Sequence, residues 1–195
     1  MVEGERLILR LPTEKDEKEI FEMVKEFKDN SENRIPGSGS IEDFVSYKEW
    51  LEKIKLYSNK ELLPKGKVSS IQFITVRKED NKIIGFLNLR HELNDYLLKF
   101  GGHVGGSIRP SERRKGYATE QLKISVEYCK KLGIKNVLVT CKDWNIGSKT
   151  TIMKCGGKFE NIEVDKDGNK LERYWIRSEE VWLQKICIEH IIVEN

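Results

Sequence analysis

One segment of the chain, from Gly101 to Lys123, constrains the fold most strongly, because it changes from strand-like to helix-like residues within a short distance. It begins with the small residues of a strand, breaks at Pro110 and re-enters regular structure through Gly116. From Tyr117 the apolar residues recur at helical spacing, and Gly133 is a suitable helix stop. The sequence therefore predicts a strand that leads through a glycine-bearing turn into the N-terminus of a helix.

This turn predicts an anion-binding site. A helix N-terminus exposes unpaired backbone N–H groups and the positive end of the helix dipole. Gly116 lets a ligand approach the backbone, and Arg113, Arg114 and Lys115 add full charges. A pyrophosphate would fit this arrangement. The competing interpretation is a solvated basic loop in front of an ordinary helix, because such short patterns are common by chance.

Periodicity, caps and turn residues predict further elements on both sides of the turn. A capping box at Thr13 and Asp16 opens a first helix, Ser40 caps a second, and Asn145 caps a short one. The predicted strands are ERLILRL, SSIQFITVR, KIIGFLNLRHEL, GHVGGSIR, NVLVTC, KFENIEV and LERYWI. The order β-α-α-β-β-β-α-β-α-β-β indicates a mixed α/β (α+β) fold, with a central, mixed but mostly antiparallel sheet flanked by helices.

Size and composition favour one globular domain at residues 1–177. The segment 178–195 is apolar beyond what this plan requires, and it could pack on the core or contact a second subunit in a homodimer. The net charge of +3 gives no indication of a nucleic-acid or membrane partner. The sequence has no signal-peptide pattern and no membrane-length apolar run, so a cytoplasmic location is expected.

The cysteines and histidines show no metal-ligand spacing. Cys129, Cys141, Cys155 and Cys187 are far apart and form no CxxC pair, so no metal site is expected. Cys141 and Cys155 could act as acyl-carrying nucleophiles, but both have apolar neighbours and no histidine close in sequence. Structural thiols are the favoured interpretation.

Two motifs carry a resemblance to a known family. RRKGYA resembles the Q/R-x-x-G-x-G/A signature of the GNAT N-acetyltransferases, where it also follows a strand and opens a helix. NIGSKTTIMKCGGKF is similar to the second landmark of that family, in which an Asn opens a helix that leads to a Gly-Phe pair. With the element order, the resemblance covers residues 5 to about 177 and implies a GNAT-like fold. Residues 90–123 are more closely similar to a bacterial subgroup of predicted acetyltransferases.

The resemblance implies an enzyme that moves an acetyl group from acetyl-CoA to a primary amine by direct transfer in a ternary complex. It implies that Ile108 and Arg109 pair through their backbone with the pantetheine arm, and that Asn145 and Ser148 meet the arm from the other side, where two strands splay apart. Ser148 is also a candidate catalytic residue. The residues implied to hold the coenzyme A pyrophosphate are Arg113, Arg114, Lys115, Gly116, Tyr117 and Ala118.

One position departs from the family pattern. Many members carry a Tyr seven residues after the Asn, where it protonates the departing thiolate, and Ile152 stands there in this chain. A non-catalytic, acyl-CoA-binding sensor or interaction module is therefore an alternative function. A different nucleotide on the turn is another, but the sequence has neither a G-x-x-x-x-G-K-[ST] motif nor a dinucleotide fingerprint.

The acceptor-binding residues and the general base are expected on the strands that line the cleft. The strand period places Asn88, Arg90 and Glu92 on one polar face, and Glu92 is the predicted general base, with His103 second. The competing interpretation is a surface ion pair between Arg90 and Glu92, with His103 an ordinary edge residue. Asn88, Arg90 and Tyr96 are the predicted acceptor-binding residues, although the apolar segment around Tyr96 could instead form a dimer contact. The acceptor is a small-molecule or peptide amine.

Overall fold

Eight strands and four α-helices form the fold of residues 1–177, the part of the chain that this computed structural model describes. The strands are β1 (Val2–Glu3), β2 (Leu7–Arg10), β3 (Ser70–Arg77), β4 (Ile83–Arg90), β5 (Val104–Ile108), β6 (Asn136–Lys142), β7 (Lys158–Val164) and β8 (Lys170–Arg177). The helices are α1 (Glu17–Asp29), α2 (Tyr47–Ser58), α3 (Tyr117–Lys131) and α4 (Ile146–Lys154). The predicted extension at 178–195, with its packing or dimer contact and Cys187, lies outside the described residues.

The strands form two antiparallel sheets. One has five strands in the order β1-β2-β3-β4-β5, and the other has three in the order β6-β8-β7. The predicted hairpin of β3 and β4 is present, with Ser70 opposite Arg90 and a register shift between Thr75 and Val76. The predicted element order is therefore confirmed, with β1 as an additional short strand. The two sheets meet where β5 and β6 form their facing edges.

Strand alternation separates two apolar layers. Phe86 on β4 is fully buried against Trp50 and the other apolar residues of α1 and α2. The next residue, Leu87, points to the opposite face and packs in the layer beneath α3. A fully buried side chain of this size contributes about 1.5–3 kcal/mol, so each layer holds its helices firmly against the sheet. No helix within residues 1–177 is long and apolar enough to cross a membrane.

Helix α2 begins later than predicted. Its cap is Ser46, whose hydroxyl accepts a hydrogen bond from Glu49 N at 3.4 Å. The predicted cap, Ser40, has a left-handed backbone (φ 63°) and precedes a short 3-10 turn at Ile41–Asp43. An N-cap residue needs an extended backbone, so Ser40 cannot start the helix. The delay leaves residues 35–46 as a loop that reaches over the five-stranded sheet.

Candidate active site

The turn between β5 and α3 leaves a row of backbone N–H groups free. After a 3-10 turn at Pro110–Glu112, Arg114 (φ 64°) and Gly116 (φ 83°) adopt the left-handed conformation. Within residues 1–177, the N–H groups of residues 114–119 have no hydrogen-bond acceptor, and Glu120 N is the first to find one, Gly116 O at 3.3 Å. Unpaired amides in such a turn form a concave anion site. The fold therefore leaves unpaired amides at the turn where the sequence predicts an anion site.

Carboxylates neutralise two of the three basic side chains on this turn. The Arg113 guanidinium pairs with Glu32 at 2.6 Å, and Lys115 Nζ lies 2.8 Å from Glu112. Arg114 is exposed and has no ion pair within the described chain. The attraction for an anion thus comes mainly from the backbone and Arg114, and the other two cations also hold the turn in shape.

Glu112 is the buried centre of that arrangement. Its carboxylate accepts hydrogen bonds from Arg77 and Lys82, both at 2.7 Å, and from Lys115 at 2.8 Å. Burial alone would raise the pKa of Glu112, but the hydrogen bonds from these three cations outweigh burial and lower the pKa to about 2. Sequence reasoning missed Glu112, because its partners Arg77 and Lys82 lie 35 and 30 residues away in the chain.

The outer edge of β5 offers backbone groups for a ligand. At the ends of the β4–β5 ladder, Arg109 N donates to Ile84 O and His103 O accepts from Arg90 N, both at 2.8 Å. In an antiparallel pair, successive residues direct their N–H and C=O groups alternately toward and away from the neighbouring strand. Between these two bonds, the β5 residues with backbone groups that face away from β4 are therefore Val104, Gly106 and Ile108. The Ile108 N–H therefore faces away from β4. The predicted partner Arg109 does not offer its backbone groups to that side, since Ile84 O and Glu112 N occupy both, whereas those of Gly106 face the same side as Ile108 N–H.

β5 and β6 are joined at one end and form no ladder within the described residues. His103 N donates to Leu138 O at 2.8 Å, and Leu138 N donates to His103 Nδ1 at 2.9 Å. Ser107 Oγ, further along β5, is buried and has no hydrogen-bond partner among residues 1–177. A free strand edge that leads to a row of unpaired amides fits an extended ligand that ends in a phosphate group.

His103 is unsuited to the predicted role of base. Burial, with a smaller contribution from the Arg90 charge, lowers the pKa of His103 to about 4, so the ring is neutral at pH 7. Because Nδ1 accepts the Leu138 N–H, the proton of the neutral ring lies on Nε2, which then cannot accept another. His103 links the two sheets.

Glu92 also lies away from the predicted place. Strand β4 ends at Arg90, so the alternation that would put Glu92 on the face of Asn88 and Arg90 stops before it. Its carboxylate forms an exposed ion pair with Lys60 at 3.0 Å. The expected face therefore contains Asn88 and Arg90, and Glu92 lies outside it.

Asn145 and Ser148 lie at the start of α4, close to the end of β6. Asn145 Oδ1 accepts from Ser148 N at 3.0 Å, which confirms the predicted cap. Ser148 is partly buried near the Cys141 thiol, and its hydroxyl lowers the pKa of that thiol by a little, against the larger opposite effect of burial. Ile152, at the position of the family's Tyr, is 1% exposed and packs in the core. A hydroxyl at position 152 would therefore not face a ligand.

A cavity of ≈450 Å³ opens on the other face of the five-stranded sheet. Its walls are the loop at 35–42, one side of α2, the polar ends of β3 and β4, and the segment at 94–97. The predicted acceptor residues Asn88, Arg90 and Tyr96 all line it. The loop approaches β5 closely, since a Cβ on Gly37 (φ 76°) would lie 2.3 Å from Gly105 O. The loop that walls the cavity therefore packs against β5, the strand that borders the gap, and the volume of the cavity suits a small ligand.

The described cysteines are buried and inert. Burial raises the pKa of Cys129 to about 12 and the pKa values of Cys141 and Cys155 to about 11. A thiol with such a pKa is almost wholly protonated at pH 7 and is a poor nucleophile. No group of three or more His, Cys, Asp or Glu side chains within residues 1–177 could hold a metal ion.

Comparisons with known proteins agree with this geometry. Residues 6–158 match the family model of the acetyltransferase (GNAT) domain. A comparison with curated proteins finds no match. Among solved structures, an acetyltransferase (GNAT family) from Bacillus anthracis is 20% identical, with a TM-score of 0.61 over 91% of this chain and 98% of that chain.

Two further solved structures have names that specify ligands or substrates. The microcin C7 self-immunity acetyltransferase, in complex with acetyl-CoA and AMP, is 17% identical, with a TM-score of 0.65 over 89% of this chain and 93% of that chain. A spermidine N-acetyltransferase chimera from Vibrio cholerae and hSSAT is 16% identical, with a TM-score of 0.63 over 91% of this chain and 99% of that chain. At these identities the likeness concerns the fold.

Proposed function

Because the chain belongs to the GNAT acetyltransferase family, we propose that it transfers the acetyl group of acetyl-CoA to a primary amine, directly, in a ternary complex. The observation that carries the proposal is the row of unpaired N–H groups at residues 114–119. These groups, with the α3 dipole and the Arg114 charge, would hold the pyrophosphate. The side chains of Arg113 and Lys115, each already paired with a carboxylate, would lie beside the pyrophosphate.

The pantetheine arm would continue along the edge of β5. Ile108 N–H and the backbone of Gly106 point to that side and would pair with the amides of the arm. Asn145 and Ser148 would meet the arm from the end of β6. The reactive end of the arm would then lie near His103 and Leu138, where the two sheets join.

The acceptor would enter from the cavity on the opposite face of the sheet. A C–N bond forms as the thioester C–S bond breaks, so the amine loses a proton and the thiolate gains one. An alkyl amine with a pKa near 10.4 is only about one part in 2,500 neutral at pH 7. Arg90 and Lys53 line the cavity, and their like charges would lower the pKa of a bound ammonium group.

Among the residues named above, Ser148 is the candidate for donating a proton to the thiolate. Ser148 lies in the first turn of α4, with its hydroxyl beside the sulfur of Cys141 and partly exposed. We assign it the role that Tyr has in many family members. The alternative of a sensor that binds acyl-CoA without turnover is favoured by Ile152, and a measurement of turnover separates the two functions.

Thermal unfolding with acetyl-CoA tests the proposal. Binding to the folded state alone should add about 2.7 kcal/mol of stability at a hundredfold excess over Kd. Gly116→Asp should abolish this gain, because it blocks the approach to the amides and adds a negative charge. Gly133→Asp is the matched control, since Gly133 (φ 80°) is a left-handed glycine at the other end of α3. No gain with the unaltered chain, or a gain that survives Gly116→Asp, would overturn the proposal.

A further inference from the structure

The cavity that we assign to the acceptor has an excess of positive charge. Three cations line it, Lys53, Lys67 and Arg90, against a single carboxylate in its described lining, Glu42. That carboxylate is already engaged, because it accepts hydrogen bonds from Ser38 Oγ at 2.6 Å and from Ile35 N at 3.2 Å. Glu42 also lies 3.9 Å from an exposed guanidinium outside the cavity. The cations inside thus face a ligand with little compensation.

Among the three cations, Arg90 gives the strongest indication of an anionic ligand. It is partly buried, and it donates only to backbone carbonyls, Gly102 O at 3.0 Å and Gly101 O at 3.2 Å, through Nη1. Within residues 1–177 it has no carboxylate partner. Burial lowers the pKa of Arg90, yet a guanidinium stays protonated in proteins. Such a group is costly to bury unless an anion pairs with it.

The two lysines extend the positive surface toward the mouth of the cavity. Lys53 is partly buried on α2, where its ammonium donates to Gly39 O at 3.1 Å. Burial lowers its pKa, an effect that the charges of Asp43 and Glu42 oppose and that the smaller effect of the Lys67 charge assists. Lys67 itself is exposed and forms no ion pair within the described part of the chain.

We propose that the acceptor amine carries an anionic oxygen group, a carboxylate or a phosphate, which Arg90 binds with help from Lys53 and Lys67. This inference rests on the proposed function, because it names the substrate class of the same site. The planar guanidinium matches both groups, since its parallel N–H donors fit two oxygens at once. A polyamine is the wrong class for the cavity, because its additional ammonium groups would lie against three cations.

Asn88 supplies the polar contact that an amine would need. Its amide nitrogen donates to Ser70 Oγ at 3.3 Å and to Gln72 Oε1 at 3.2 Å. With this orientation its amide oxygen has no donor among the described residues and can accept an N–H group. Asn88 and Arg90 lie two residues apart on one face of β4, so the amine and the anionic group would be bound side by side.

Calorimetry in the presence of CoA, which permits binding but no transfer, tests the inference. The probes are phenylalanine against phenylalaninamide for a carboxylate, O-phosphoethanolamine against ethanolamine for a phosphate, and spermidine as the polycation. We expect at least one acid to bind tenfold or more tightly than its partner without the anionic group. The pair that shows this preference identifies the anionic group. Equal or tighter binding of the partners without the anionic group, tightest binding of spermidine, or no binding of either acid would overturn the inference.

Variants locate the effect. Arg90→Met should weaken binding of the preferred acid about tenfold to a hundredfold, and binding of its partner without the anionic group less than threefold. Lys67→Met, an exposed change that leaves the fold intact, should weaken the acid about threefold. Lys55→Met, on the exposed side of α2, is the control that should change neither. Acid affinity unchanged in both Arg90→Met and Lys67→Met would refute the assignment.

The thermal shift with acetyl-CoA distinguishes failure of the proposed function from failure of the inference about the acceptor. A chain that gains stability from acetyl-CoA but shows no preference for acids retains the proposed function and loses this inference alone. A chain that gains no stability from acetyl-CoA loses both. The same shift, measured on the Arg90 and Lys67 variants, reports whether each is folded with an intact coenzyme site.

Discussion

Replacing Glu112 by Gln tests how the candidate pyrophosphate turn is held together. The side chain of Glu112 is only 5% exposed and has three cationic partners. Gln keeps its size and can accept one or two of the hydrogen bonds, but it removes the negative charge. Arg77, Lys82 and Lys115 would then be left close to one another without the carboxylate between them.

The size of the effect follows from the shifted pKa. Glu112 has a pKa of about 2 instead of 4.5, and each pKa unit corresponds to 1.36 kcal/mol, so the charged form gains about 3 kcal/mol from the fold. Breaking a buried ion pair costs about 3–5 kcal/mol. We expect the lower end, because Arg77 keeps its pair with Asp80 at 2.6 Å and Lys115 is half exposed. In a chain of this size 3 kcal/mol lowers Tm by about 6–12 °C.

The effect must also depend on pH with a defined sign. Because the folded pKa of Glu112 is lowered, its stabilisation is complete above the ordinary pKa of 4.5 and is lost as the pH falls toward 2. The difference between the unaltered chain and Glu112→Gln should therefore shrink between about pH 5 and pH 2. Because burial lowers the pKa of His103 to about 4, the free energy of unfolding also falls as the pH is lowered from 6.5 to 4. This loss is the same in both proteins, so it cancels in the difference between them.

Urea unfolding at pH 7 and at pH 3.5 measures this difference, with Glu52→Gln as the control. Glu52 is exposed on α2 and has no ion pair within the described chain, so its replacement should change the free energy of unfolding by less than 0.5 kcal/mol. Glu112→Gln should also weaken the binding of acetyl-CoA. An unfolding midpoint for Glu112→Gln equal to that of the unaltered chain at pH 7 would refute the argument that this carboxylate holds the turn.

Two further predictions concern the other side of the gap. Asn145→Ala should lower the free energy of unfolding by about 1 kcal/mol through loss of the cap, and kcat/KM at least tenfold if the residue also meets the coenzyme. Asn59→Ala, the loss of a cap on another turn, should cost stability without affecting kcat/KM, and the same result for Asn145 would make it a cap only. In a Cys187→Ser background, iodoacetamide at pH 8 should alkylate the folded chain about a hundredfold more slowly than the denatured chain, because burial raises the pKa of Cys141 to about 11. Rapid alkylation of Cys141, read by mass spectrometry, would contradict its structural role.

The parts of this protein that could be predicted from sequence are those set by neighbouring residues. The order of strands and helices follows from apolar periodicity, and the cap of α4 follows from Asn145 itself. The turn with its unpaired amides follows from a strand, a glycine and a helix within one short segment. A helix cap or an apolar repeat involves residues only a few positions apart, so it can be predicted without knowledge of the tertiary structure.

The prediction for α2 marks the limit of such local signals. Ser40 and Asp43 have the right spacing for a capping box, and so does Ser46 with Glu49. Ser40 has a left-handed backbone in the loop that packs against β5 at Gly37, and the helix starts at the second site. Two local patterns competed here, and tertiary packing decided between them.

The charges of the site were decided by the tertiary structure alone. Glu32 pairs with Arg113 across 81 positions of the chain, and Glu26 pairs with Arg109 across 83. No local pattern predicts which cations acquire such partners and which, like Arg90, do not. Glu92 and His103 differ from their predicted roles for the same reason, since an ion pair at a strand end and a backbone hydrogen bond from β6 determine what each can do. Electrostatic interactions depend on distance in space and on burial, and only the folded chain defines these quantities.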